Sequence, residues 1–242
     1  MKPTKAIILA AGRGSRLGHL TKEVPKCLVK LKKKPLISYQ IKSLQKAGIK
    51  NIALVVGYKS NKLKNYSDKI FKNNFWNKTN MVYSLLCAKQ WIDQQVIVSY
   101  SDIVYPSEFV EKLINSKMKN VIIVDKNWKK LWKLRFKQPL VDAETLKLNR
   151  DNSLKEIGKK TNNYADIEGQ YIGLFKISSN MFWIIYKMFN ELKTVSPNED
   201  FTSMFQKVLE RGAKIYAEEV HEKWFEIDSP YDLSIAEKYI DF

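Results

Sequence analysis

Cysteine, histidine and arginine are the scarce residues of this chain. Its 242 residues include two cysteines, Cys27 and Cys87, and two histidines, His19 and His221. The cysteines have no metal-ligand spacing, which argues against a zinc site and for buried free thiols in a reducing compartment. Neither histidine stands in a triad-like setting. Only five of the 42 basic residues are arginines: Arg13, Arg16, Arg135, Arg150 and Arg211. No apolar run is long enough to span a membrane. The short apolar segment near the N-terminus runs straight into a glycine-rich loop, so no signal peptide is expected. A soluble, cytoplasmic protein without a membrane partner is the expectation.

The net charge is +17. Such a charge can mark a nucleic-acid binder. Here the lysines are spread along the chain, and the clusters at 32–34, 129–130 and 159–160 are isolated. No bZIP, zinc-finger or RRM pattern occurs. A lysine-rich solvated surface accounts for the charge better than a nucleic-acid groove, leaving a general attraction for anionic substrates.

Apolar runs and helical patterns alternate. "KAIILA" (5–10), "NIALVVG" (51–57), "QVIVSYSD" (95–102) and "NVIIVD" (120–125) read as buried strands. Between them, "PLISYQIKSLQKAG" (35–48), "NMVYSLLCAKQW" (80–91) and "PSEFVEKLINS" (106–116) read as helices. Pro35 and Gly48 bound the first, and Asn80 caps the second. This rhythm predicts an α/β fold: a mostly parallel, Rossmann-like sheet with helices on both faces. From residue 127 the pattern changes. Residues 141–160 predict a hairpin turning at Asp151-Asn152, and "GQYIGLFKIS" (169–178) predicts another strand. Helices at about 179–192 and 200–211, a strand at 213–219 and a helix from Pro230 complete the chain. A single domain over 1–242 is expected, with a small β-rich insertion at about 127–170 over the strand ends. Ligands of open α/β sheets bind outside those carboxyl ends.

The stretch "LAAGRGSRLGHLTKEVPKCL" (9–28) follows the first strand. It lacks the P-loop string, and Leu17 stands where the dinucleotide fingerprint needs a third glycine. Glycines still let the backbone approach phosphates, and backbone amides with an arginine fork bind their oxygens. The whole string resembles the signature of the nucleoside-triphosphate transferase family, departing from it at His19, where that family generally has proline. The resemblance implies nucleotide contacts from Leu9, Ala10, Ala11, Gly12, Arg13, Gly14, Ser15, Arg16 and Lys26. "YSDIVY" and "WFEIDSPYDL" are similar to the family's two metal-binding segments, with Asp102 and Asp228 as the implied Mg²⁺ ligands; Ser101 adjoins the first. Asp228 could alternatively cap the last helix.

"NKTNMVYSLLCAKQW" resembles a segment of the cytidylyltransferases that activate phosphocholine and related small phospho-compounds. Residues 121–177 resemble more loosely the subgroup that activates 2-aminoethylphosphonate or, in capsule phosphoramidate synthesis, phosphorylated glutamine. The reaction implied joins CMP from CTP to a small phosphorylated acceptor and releases pyrophosphate. A phosphate monoester is mostly dianionic at neutral pH, so no general base is required, in keeping with the scarcity of histidine. Catalysis would rest on positioning and charge neutralisation. Arg16 is assigned to the leaving phosphates, Lys26 to the α-phosphate and the attacking phosphate, and Asp102 with Asp228 to Mg²⁺. Asn80 and Ser84, one helical turn apart, are candidates for cytosine or ribose, or else a cap and a polar helix residue. For the acceptor, Trp128 and Trp132 could hold an ammonium and Arg135 a carboxylate or phosphate. Glu168, Gln170 and Tyr171 are similar in position to acceptor-side residues. Alternatives are a phosphocholine or 2-aminoethylphosphonate acceptor, a sugar-1-phosphate nucleotidyltransferase, and a nucleic-acid binder that keeps the fold without catalysis.

Overall fold

The computed structural model describes residues 2–192 and 197–242. In chain order its longer strands are β1 (Lys5–Ala10), β2 (Asn51–Val56), β3 (Lys69–Lys72), β4 (Val96–Tyr100), β5 (Val121–Asp125), β6 (Glu144–Leu148), β7 (Leu154–Lys160), β8 (Gln170–Ile177) and β9 (Tyr216–Val220). All but β6 and β7 form one seven-stranded sheet, in the order β9-β5-β8-β4-β1-β2-β3. Strands β4, β1, β2 and β3 pair in parallel, as do β9 and β5. Strand β8 runs antiparallel between them. It therefore brings its amino end, Gln170 and Tyr171, to the side where the parallel strands present their carboxyl ends.

The α-helices among the described residues are α1 (Leu36–Lys46), α2 (Met81–Leu86), α3 (Ser107–Asn115), α4 (Trp128–Arg135), α5 (Ser179–Leu192), α6 (Phe201–Glu210) and α7 (Pro230–Tyr239). They divide between the faces because side chains of a strand alternate. Ala6, Ile8 and Ala10 join the core formed with α1, α3 and α7. Ile7 and Leu9 join the core formed with α2, α5 and α6. The Rossmann-like layering expected from the sequence is thus present.

Three details differ from the sequence reading. Helix α2 stops at Leu86, where the chain tightens with Ala88 N–H bonding Leu85 O, and a single 3₁₀ turn follows at Lys89–Trp91. The 127–170 segment opens with α4, whose buried face is Trp128, Leu131, Trp132 and Arg135. Its pattern was hidden by the lysines at 129, 130 and 133 and by a buried charge where an apolar residue was expected. The β6–β7 hairpin turns as anticipated, with Asn152 at φ 59°. It lies along the sheet rather than only over its strand ends. Its tip bonds the start of β9 through Leu154 N–H to Ile215 O, while its open end, Glu144 and Lys160, lies beside Gln170.

Candidate active site

Four segments converge where the parallel strands end. The first leaves β1 at Ala10 and turns through Gly14, whose φ is 73°. A Cβ there would lie 2.8 Å from the Lys26 side chain, so glycine is required by conformation and by packing alike. Leu9, Ala10 and Ala11 are buried, whereas Gly12, Arg13, Ser15 and Arg16 are exposed. The Arg13 guanidinium rests 5.6 Å from the Tyr58 ring centroid. A 3₁₀ segment, Ser15–Thr21, is tied back by Thr21 Oγ1 donating to Gly14 O at 3.0 Å. A second turn, Lys26–Leu28, delivers Lys26 into the interior.

The second and third segments are joined by a short antiparallel ladder between Ile103–Val104 and Phe225–Glu226, with Ile227 N–H bonding Asp102 O at 2.9 Å. This ladder brings Asp102, one residue beyond the buried Ser101 after β4, beside Glu226 and Asp228. The α7 cap is Ser229, in a reciprocal capping box with Asp232. Asp228 is therefore free of the capping role that the sequence left open for it. The fourth segment is the end of α4, which contributes Arg135.

The charges interlock. Lys26 Nζ lies 2.6 Å from Asp102 Oδ2 and also bonds Asp228 Oδ1. Arg16 reaches Asp228 Oδ2 at 2.8 Å. Arg135 bonds Asp232 through Nε at 2.9 Å and Glu226 through Nη1 at 2.6 Å, and stands 3.8 Å from Asp228. Burial disfavours the charged form of Lys26, but the Asp102 and Asp228 carboxylates outweigh it and hold the ammonium well above its ordinary value. Burial opposes ionisation of Asp228 too, and Lys26, Arg16 and Arg135 together pull it below the usual carboxylate range. Glu226 is pushed up by burial and by the neighbouring Asp228 and Asp102 charges, against the pull of Arg135.

Asp102, Glu226 and Asp228 each offer a carboxylate oxygen within 4.8 Å of the others. Asp102 Oδ1 is buried and has no hydrogen-bond partner among the described residues. An all-oxygen set with one orphaned carboxylate oxygen suits a hard divalent cation such as Mg²⁺, so these residues fit the group. Glu226 was absent from the sequence-derived ligand set. Its signal was the spacing: in an extended segment, residues two apart face the same side, as Glu226 and Asp228 do.

Beside this cluster opens a cavity of about 240 Å³. Arg16, Glu226 and Asp228 line it together with Tyr100, Trp132, Tyr171 and Trp224. Gly173 makes room here: at φ 85°, a Cβ on it would strike the Tyr100 ring at 2.5 Å. The remaining sequence-derived candidates divide. Trp132, Gln170 and Tyr171 line the cavity. Trp128 is buried, edge-on to Trp132 and stacked on Tyr164. The Arg135 side chain is 2% exposed and committed to protein carboxylates, so it is not presented to a ligand. Glu168 is exposed beside the hairpin, just before β8, accepting from Leu148 N–H. Asn80 caps α2, and its amide bonds Asn198 O. Ser84 is buried, accepting from Asn73 and donating to Asn80 O. This matches the structural side of the two roles left open for Asn80 and Ser84.

A family model described as the MobA-like NTP transferase domain matches residues 6–164. The chain is 44% identical over 248 residues to CTP:phosphoglutamine cytidylyltransferase of Campylobacter jejuni, covering 95% of this chain and 98% of that one. It is 34% identical over 116 residues to choline-phosphate cytidylyltransferase of Streptococcus pneumoniae, covering 46% and 51%. Among solved structures, the inositol-1-phosphate CTP transferase of T. maritima superposes with a TM-score of 0.79 at 21% identity, covering 99% of this chain and 98% of that one; this likeness concerns the fold. The chain belongs to the MobA-like NTP transferase family.

Proposed function

We propose that this nucleotidyltransferase transfers CMP from CTP to a small, amino-bearing phosphorylated acceptor, phosphorylated L-glutamine, with release of pyrophosphate. The observation that carries the reading is the 44% identity over nearly the whole of both chains to an enzyme named for that reaction. It is supported by the joining of loop cations and strand-end carboxylates next to an aromatic-walled cavity.

In the reaction, an acceptor phosphate oxygen bonds to the α-phosphorus of CTP. The bond from that phosphorus to the bridging oxygen breaks, and pyrophosphate leaves with the electron pair. The chain's own residues supply position and charge. The Gly12–Ser15 loop and the exposed Arg16 guanidinium, beside Asp228, hold the β- and γ-phosphates in this reading. Lys26, a permanent cation at the carboxylate cluster, compensates charge on the α-phosphate. Asp102, Glu226 and Asp228 would hold Mg²⁺, which when bound supplies further positive charge against the triphosphate. Among the described residues no histidine lies in the cluster, which suits an acceptor that is already ionised.

A pyrophosphate-release screen across CTP, UTP, dTTP, ATP and GTP with pooled acceptors tests the nucleotide. Turnover with CTP is expected. Turnover of UTP or dTTP with a hexose 1-phosphate, and none with CTP, overturns the reading.

A further inference from the structure

The acceptor cavity holds charged groups that the reaction itself does not use. Asp142, Glu144 and Asp200 line it together with Trp132 and Gln170. Two of these carboxylates are mounted by the buried polar side chains beside them. Gln170 is 6% exposed; its Nε2 donates to Glu144 O at 2.6 Å and its Oε1 accepts from Glu144 N–H at 3.3 Å. This two-point clamp fixes the backbone that carries the Glu144 carboxylate. Trp132 Nε1 donates to Asp142 Oδ2 at 3.0 Å. Asp200 caps α6, accepting from Ser203 N–H and from Thr202 Oγ1. The carboxylates are thus set in place by the fold.

Besides Arg16, which lines the cavity, a lysine outside the lining adjoins Glu144. Lys160 is the register partner of Glu144 across the β6–β7 ladder. Its Nζ stands 3.9 Å from Glu144 Oε1 and 3.3 Å from Asp142 O. The Lys160 side chain is 67% exposed, and that of Glu144 32%. An ion pair this loose and this wet contributes little to stability, so its charges can exchange their mutual contact for contacts to a ligand. Arg135, the residue whose type best suits a carboxylate, is occupied elsewhere.

We propose that Glu144 and Lys160 form a reader for the α-amino-acid end of the acceptor. The ammonium replaces Lys160 at Glu144, with Asp142 and Asp200 adding to the negative potential, and the carboxylate pairs with Lys160. A zwitterionic head satisfies both charges at once. A choline head satisfies only Glu144 and leaves Lys160 without a partner. Gln170 and Trp132 are then positioning residues, acting through the carboxylates they hold. This assignment rests on the acceptor class proposed above and names the residues that select it.

Steady-state kinetics at saturating CTP test it, with phosphorylated L-glutamine and its decarboxylated analogue, phosphorylated 4-aminobutanamide, as acceptors. The wild-type protein is expected to favour the amino-acid acceptor at least tenfold in kcat/KM. Lys160→Gln is expected to reduce that preference at least tenfold. Glu144→Gln, which keeps the backbone clamp, is expected to raise the KM for both acceptors at least tenfold while the KM for CTP stays within twofold. A preference that survives Lys160→Gln, or an acceptor KM unmoved by Glu144→Gln, overturns the reader alone, because turnover of the amino-acid acceptor would still stand. Turnover of phosphocholine only, or of no amino-bearing acceptor, overturns the reader and the proposed acceptor class together.

Discussion

The ammonium of Lys26 stands between two carboxylates, 2.6 Å from Asp102 and bonded also to Asp228, residues 76 and 202 positions away in the chain. One buried cation therefore neutralises the strand-end cluster, and in the proposed reaction it also meets the charge of the α-phosphate. Lys26→Met keeps the aliphatic packing against Gly14 but leaves the carboxylates uncompensated. Breaking a buried pair in this way costs about 3–5 kcal/mol, and removing a charge-stabilising donor costs about 10²–10³ in kcat. Urea unfolding and initial rates should show both losses. A variant with kcat within threefold of wild type removes Lys26 from the chemistry.

The proposed metal role of the carboxylates has its own signature. Asp102→Asn and Asp228→Asn should reduce kcat by orders of magnitude. Glu226→Gln should chiefly raise the Mg²⁺ concentration needed for half-maximal rate. Activity that persists in EDTA would reject a divalent cation as part of the site.

Arg135 bridges Glu226 and Asp232 at 2.6 and 2.9 Å. Arg135→Ala should consequently destabilise the protein by about 3–5 kcal/mol, the range for an orphaned buried charge, and should depress kcat with every acceptor. An effect confined to the KM of a carboxylate-bearing acceptor would restore the ligand role that the sequence suggested for it.

Lys176 supplies a pH-dependent term far from the site. It is 1% exposed, bonded to Leu113 O at 2.5 Å and Ser116 O at 2.9 Å near the end of α3. Burial lowers its pKa from an ordinary 10.5 to about 8. The unfolded chain then binds more protons than the folded one between these values, so the stability term rises with pH across that window. Below pH 8 the full cost of burying the charge is present. The unfolding free energy of the wild type relative to Lys176→Met should increase from pH 8 towards pH 10. A flat or falling difference would show that the folded pKa is not depressed.

Much of this was legible in the chain itself. The alternation of Ala6, Ile7, Ile8 and Leu9 across β1 pointed to a sheet covered on both faces, and the 9–28 string placed Arg16 and Lys26 at its strand ends. Side-chain commitments were not legible. Arg135 and Trp128 have residue types suited to a ligand, yet one is held by Glu226 and Asp232 and the other by Trp132 and Tyr164. Those partners lie up to 97 residues away in sequence, and no local pattern announces them. Glu226 and Glu144 were missed for the complementary reason: lone glutamates in short strands look like solvated surface until the ladder to Ile103 and the Gln170 clamp place them on a cavity wall.

The proposed reaction is tested most directly by incubating the purified protein with CTP, Mg²⁺ and phosphorylated L-glutamine and following the mixture by ³¹P NMR and mass spectrometry. Equal amounts of pyrophosphate and of a CMP–phosphoglutamine adduct are expected, with no product when Asp228→Asn replaces the wild type. Conversion of phosphocholine but not of phosphorylated L-glutamine would contradict the acceptor assignment, and absence of any cytidylylated product with phosphorylated L-glutamine, phosphocholine or 2-aminoethylphosphonate would contradict the activity itself.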